Sequence, residues 1–200
     1  MTALALAVVF APRASAREAD DETFGGWIFT EVNHDFANGM YATFYFEHDN
    51  YWFQRLECNY FRLSVGCKVL PWLSLGVNYL PTFEPGGVYT HFGEVDVVGS
   101  LKSGNVKLSI RERYRHGFSS GKNELRSRLK AAYSFPGSGW GVYLAPEVIT
   151  WGNEWKKTRH YVACTYNLTD WMQLEAYYMY YALHSGPAEN VLGMGLNFDL

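Results

Sequence analysis

Charge is scarce in this chain. Lys, Arg, Asp and Glu make up 18% of its 200 residues, below the roughly 25% of an ordinary soluble domain. The formal net charge is only −3 at pH 7, so no basic excess marks a nucleic-acid partner. Cysteine is scarce as well. Cys58, Cys67 and Cys164 are odd in number and fit no zinc-ligand spacing, which argues against a disulfide framework and against a structural zinc site. The histidines His34, His48, His91, His116 and His160 are scattered, with no H-x-H or H-x₃-H pair. Neither a metal site nor a bound cofactor is therefore expected. Glycine-rich phosphate loops are missing. No apolar run reaches the roughly 20 residues that a membrane-spanning helix needs.

Aromatic residues are abundant instead, at 18%, with 15 Tyr, 13 Phe and 7 Trp, and hydrophobic residues reach 48%. Mean hydropathy is nevertheless slightly negative. A chain that alternates lipid-facing apolar residues with polar interior ones averages out in this way. The only concentrated apolar stretch is TALALAVVFA at residues 2–11, followed by Ala14-Ser15-Ala16 and then a polar segment. This order resembles the apolar region and A-x-A cleavage site of a secretory signal peptide, although no basic region precedes it. Residues 1–16 are expected to be removed, 17–23 to form a polar segment and 24–200 to form one domain.

From residue 24 onward period-two alternation dominates. Met40, Ala42, Phe44 and Phe46 alternate with Tyr41, Thr43, Tyr45 and Glu47, and Phe61, Leu63, Val65 and Cys67 with Arg62, Ser64, Gly66 and Lys68. The same rhythm recurs near 73–79, 94–97, 106–111, 125–133, 142–148, 159–166 and 173–180, and closes with Leu192, Met194, Leu196, Phe198 and Leu200 on one face. Runs of this length suit tilted strands that cross a bilayer. Strands of soluble sandwiches are shorter, near five or six residues. Tight turns are expected at 37–39, 70–71, 103–105, 136–139 and 169–170, and longer links near 50–54, 81–90, 116–123, 151–158 and 183–189. Short turns on one rim and long loops on the other are the outer-membrane arrangement.

Trp72, Trp140 and Trp171 adjoin tight turns, whereas Trp52, Trp151 and Trp155 adjoin the longer links. Indole prefers the membrane–water interface, so the six are expected to form two aromatic girdles. The reading is all-β: a small antiparallel up-and-down transmembrane β-barrel of about 10–12 strands. Some eleven segments can be counted, while bacterial single-chain barrels have even numbers. Either residues 26–35 fail to complete a strand or a link such as 81–91 hides one more.

The segments VLPWLSLGVNY (69–79) and NLTDWMQLEAYYMY (167–180) share a turn–Trp–Leu pattern. Together with YLAPEVI (143–149) and VLGMGLNFDL (191–200), they resemble the bacterial family known as domain of unknown function 2490. The resemblance implies a small barrel in the bacterial outer membrane and carries no activity with it. The alternating C-terminal strand is also similar to the signal read by the barrel-assembly machinery, although it ends on Leu200 rather than Phe. Expected partners are that machinery, outer-membrane lipid and lipopolysaccharide, with the protein itself a monomer.

Alternation puts Lys107, Arg111, Arg113, Arg115, Arg126, Arg128 and Lys130 on the inner face, from two neighbouring strands. Glu94, Asp96, Glu147 and Glu175, with Glu47, point inward from others. Two readings stay open. The charges neutralise one another inside a filled barrel, or they line a narrow passage for small ions or polar solutes. Two further classes compete. His184, Ser185 and Glu189 in the last long link are the residue types of an outer-membrane lipid A deacylase, but adjacent His and Ser diverge on a strand. A periplasmic lipocalin-like binder would carry its apolar face inside, whereas here the uniform face is the outer one.

Overall fold

The computed structural model describes residues 23–51, 55–152, 154–184 and 188–200. The signal-peptide reading of residues 1–16 and most of the segment 17–23 lie outside them. Among the described residues eleven strands form, each reversing on the last: β1 (Thr23–Asp35), β2 (Met40–Tyr51), β3 (Arg55–Leu70), β4 (Leu73–Glu84), β5 (Val88–Ser103), β6 (Val106–Gly117), β7 (Asn123–Ser134), β8 (Trp140–Trp151), β9 (Glu154–Asn167), β10 (Met172–Leu183) and β11 (Glu189–Asp199). Among the described residues no helix is long and apolar enough to cross a membrane.

The sheet closes on itself, with β1 antiparallel to β2 and parallel to β11. This resolves the strand count, and it corrects the expected choice between ten and twelve. Eleven alternating strands leave the first and last running the same way, so closure requires one parallel pair. That pair is continuous from Thr23↔Glu189 to Asn33↔Asp199. Residues 24–35 are therefore an ordinary full strand. Closure leaves no unpaired edge, which a barrel in hydrocarbon cannot tolerate.

The expected contrast between rims is not found. Strand β4 continues to Glu84 and β5 begins at Val88, so the link placed at 81–90 is a turn of three residues, with Gly86 and Gly87 at φ of 85° and 82°. Likewise β8 reaches Trp151 and β9 starts at Glu154. Polar and aromatic residues read as loop instead extend the ladders: Pro81 pairs with His91 and Phe83 with Tyr89. Strands β3 and β5 have 16 residues each, more than the roughly 9–11 that cross a bilayer.

The two faces differ as the pleat requires. Outward side chains are apolar and open: Ile28, Leu63, Ile110, Leu129, Val162 and Met194 are each a little over half exposed. Inward, Trp27, Phe29, Tyr161, Tyr177, Met179 and Val191 are packed together. Glycines let these rings lie flat on the wall. A Cβ on Gly193 would sit 2.0 Å from Tyr177 Cζ, and one on Gly66 2.3 Å from Tyr41 Cζ. Each bare backbone position is thus roofed by an aromatic ring from a neighbouring strand, which keeps the ring out of the axis and leaves space inside.

Candidate lumen site

The interior charges are built from cross-strand register. Arg111 stands opposite Arg128, and Arg113 opposite Arg126, on β6 and β7. Like charges directly opposite are destabilising, so the flanking strands supply carboxylates. On one side Asp96 stands opposite Arg113 and Glu94 opposite Arg115. On the other, Glu147 stands opposite Arg128 and, on its far edge, opposite Arg159. Around the wall the order from β5 to β9 is acid, base, base, acid, base.

The side chains meet as that order implies. Arg113 grips Asp96 with two bonds, from Nε and Nη2, both 2.6 Å long. Glu94 is ion-paired with Arg115 Nη2 at 2.6 Å, Arg113 Nη1 at 3.2 Å and Arg62 Nε at 3.4 Å. Asn78 donates to both acids, at 3.3 and 3.1 Å. Glu147, with no exposed surface, is the centre of the second cluster. Arg111 Nη2 lies 2.9 Å from it, Arg126 Nη2 3.0 Å, Arg128 Nε 3.2 Å and Arg159 Nη1 3.9 Å. Two carboxylate hubs therefore lock the arginine wall in place.

Opposite that wall stand aromatic residues and a second set of acids. Tyr45 donates to Glu47, and its ring stacks on Phe29 and Tyr60 at 5.6 and 5.8 Å. Between the walls is a cavity of about 180 Å³, reached by Arg111, Arg126, Arg159, Glu47, Trp27 and Tyr177 among others. A second cavity of about 400 Å³ lies toward the rim of the 104–105 and 135–139 turns, lined by Lys107, Ser109, Ala132, Thr165 and Gln173. Lys130 and Tyr143 border both. Lys130 Nζ sits 3.7 Å from the centre of the Tyr143 ring, and Tyr143 donates to Glu175 at 2.6 Å. That contact is the partition between the two chambers.

Lys107, Arg111, Arg113, Arg115, Arg126, Arg128, Lys130, Glu94, Asp96, Glu147 and Glu175 thus all sit on the inner wall. All but Lys107 engage a side-chain partner there. Reading charges strand by strand left out Arg62, Arg159, Asp49 and the ring wall. Arg62 and Arg159 share inward parity with their neighbours, a signal already present in the sequence. Trp27 was hidden because residues 24–35 had no assigned strand.

Trp72, Trp140 and Trp171 are about half exposed on the outer face beside the short turns. Trp140 packs on Tyr166 and Trp171 on Phe198. Trp151 does not belong to a girdle. It shares the inward parity of Ile149 and Glu147, and its indole donates to Glu124 at 2.8 Å inside the opposite mouth. Adjacency to a turn had placed it outside, whereas the strand continues through it and parity decides. Outward positions at that rim carry Tyr79, Tyr89, His91, His116 and Phe118 in ring contact. Trp52 lies outside the described residues, and of Trp155 only the backbone, in β9, is described. His184 is exposed just past β10 and Glu189 opens β11, while Ser185 lies outside the described residues. No group of three His, Cys, Asp or Glu suited to a metal ion occurs among the described residues.

A family model described as "Protein of unknown function (DUF2490)" matches residues 24–191. The chain belongs to this family. No curated protein matches it. Among solved structures it is similar to the NanC porin, with 16% identity and a TM-score of 0.61 over 88% of this chain and 98% of that one. It is also similar to the KdgM porin, with 12% identity and a TM-score of 0.51 over 79% and 84% of the two chains. At these identities the likeness is one of fold: this DUF2490 member has a porin-like closed barrel.

Proposed function

We propose that the protein is an integral barrel of the bacterial outer membrane that acts as a narrow pore for small polar solutes or ions. The observation that carries this reading is the pair of polar cavities in series inside a wall whose outer face is apolar. Fixed charges held by bidentate and multivalent pairing keep such a passage hydrated without collapsing it. Eleven strands allow only a small bore, far below the aqueous channel of 16-stranded porins. The porin-like fold and the rim tryptophans support the location, with lipid and lipopolysaccharide as surroundings, insertion by the barrel-assembly machinery and a monomeric state.

Purified protein in planar bilayers tests the reading. Small, discrete conductance steps are expected, and Lys130→Ala, which removes the partition over Tyr143, should enlarge them. Silence of both proteins across a wide range of salt and voltage would overturn the pore. Release from membranes by carbonate alone, without detergent, would overturn the integral barrel.

A further inference from the structure

The central cavity is bipolar in its unused hydrogen-bonding capacity. On the basic wall Arg111 Nε and Arg126 Nε are buried without a hydrogen-bond partner, although each guanidinium is anchored to Glu147 through another nitrogen. On the β1–β2 side Glu47 Oε1, which borders the cavity, is a buried acceptor without a partner; near it Asp49 Oδ1 is another, and Trp27 Nε1 is a buried donor without one. Arg159 lies between the two sides, its guanidinium 5.4 Å from the centre of the Trp27 ring. Glu47, Asp49, Trp27 and Arg126 are each more than nine-tenths buried. Buried polar groups normally find partners, so a cluster of unmet ones around a single space points to something that occupies it.

Register fixes where the two poles stand. Trp27 pairs with Asp49 and Phe29 with Glu47 across β1 and β2. Arg111 and Arg126 lie on β6 and β7, four or five strands away in a ring of eleven, which is across the bore. The charges also come close to balance. Seven cationic side chains border the cavity together with Glu31, Glu47 and Glu175. Glu94, Asp96 and Glu147, held against those cations, and Asp49, two residues along β2 from Glu47, bring the carboxylates to seven, while Arg115, 2.6 Å from Glu94, brings the cations to eight. A cavity with so small an excess gives little advantage to an ion of one sign. A lone anion on the arginines would leave the carboxylate pole unmet, and a lone cation would leave the guanidiniums unmet.

We infer that the central cavity binds small zwitterions of the amino-acid type, with the carboxylate on the Arg111–Arg126 wall and the ammonium at Glu47. The size agrees. A volume of about 180 Å³ is below the roughly 300–1,000 Å³ of drug-sized pockets and large enough for on the order of ten waters. This rests on the pore reading only for its physiological use. Binding itself requires only the folded barrel.

The test is calorimetric titration of the detergent-folded protein with three probes: L-alanine, acetate and methylammonium. L-alanine should bind about tenfold or more tightly than either single-charge probe, since one charge-assisted contact is lost with each. Glu47→Gln should reduce L-alanine affinity to that of acetate while leaving acetate unchanged. Should that variant fail to fold, Glu47→Asp, which keeps the charge but draws it back from the cavity, should still weaken L-alanine several-fold and leave acetate unchanged. Equal binding of acetate would make the cavity a plain anion site, equal binding of methylammonium a cation site, and absence of L-alanine binding an unoccupied polar interior; each overturns the inference. Conductance of the same preparation keeps the two proposals apart. An open pore with no preference for L-alanine refutes the zwitterion site alone, and a silent barrel that binds L-alanine refutes the pore alone.

Discussion

Replacing Glu147 with Gln tests the energetic logic of the lumen wall most sharply. The glutamate has no exposed surface and is within 4 Å of four guanidiniums. Gln keeps the volume but removes the charge, and it turns an N–H₂ group toward donors. Arg111, Arg126, Arg128 and Arg159 then repel one another in a space of low dielectric. Removing one partner of a buried pair costs roughly 3–5 kcal/mol, which is about 10²- to 10⁴-fold in the folding equilibrium. Reversible urea unfolding of the barrel in lipid vesicles, followed by tryptophan fluorescence, measures this. The midpoint should fall steeply, and adding Arg128→Gln should restore part of the loss, with a coupling of roughly 0.5–3 kcal/mol. A loss under about 1 kcal/mol, the range of an exposed pair, would refute the claim that Glu147 holds the wall together.

Three other outcomes follow from the fold. Gly193→Ala would push a methyl group into the Tyr177 ring, 2.0 Å from Cζ, and should cost about 1–3 kcal/mol by overpacking; Tyr177→Leu should relieve it in the double variant, and unchanged stability of the single variant would contradict the packing described. Leu129→Arg places a cation on the outward face at a position 52% exposed. It should destabilise the vesicle-inserted barrel by about 2–4 kcal/mol, and a neutral effect would contradict a lipid-facing wall. Thr30→Cys with Leu196→Cys joins direct partners of the parallel β1–β11 pair, whose spacing suits a disulfide. With the native cysteines replaced, oxidation should give an intramolecular cross-link seen as a gel shift, and failure to cross-link would contradict the eleven-stranded closure.

Most of the architecture was legible in the chain because a barrel writes each residue's environment into a period of two. Once Phe44 and Leu63 are assigned outward, Tyr45, Glu47 and Arg62 can only face inward, and the same rule placed both arginine strands. What periodicity does not carry is how the ends meet. Nothing in TFGGWIFTEVNHD says whether it pairs with its sequence neighbour alone or also with the last strand in parallel, since that is a non-local closure term. Strand ends were misread for a related reason. Pro81, Thr82, Lys157 and Thr158 fall in stretches that look like links by composition, yet ladder pairing such as Pro81↔His91 and Val148↔Thr158 overrides local preference. Trp151 was misplaced by the same error. The pairing of charges was half visible: two basic strands side by side demand acidic neighbours, and β5 and β8 supply them. That Glu147 gathers four arginines depends on barrel curvature and side-chain reach, which no linear spacing reveals.

The central claim is that solutes cross through this polar interior. Its most direct test is thiol blocking in a background without Cys58, Cys67 and Cys164. Ala132→Cys faces the larger cavity, and Leu129→Cys, three residues earlier, faces outward. A membrane-impermeant cationic thiosulfonate reagent, added during single-channel recording, should reduce the current of the Ala132→Cys barrel in one step and leave that of Leu129→Cys unchanged. Equal insensitivity of both, with current still flowing, would show that the ions do not pass through the lumen and would contradict the claim.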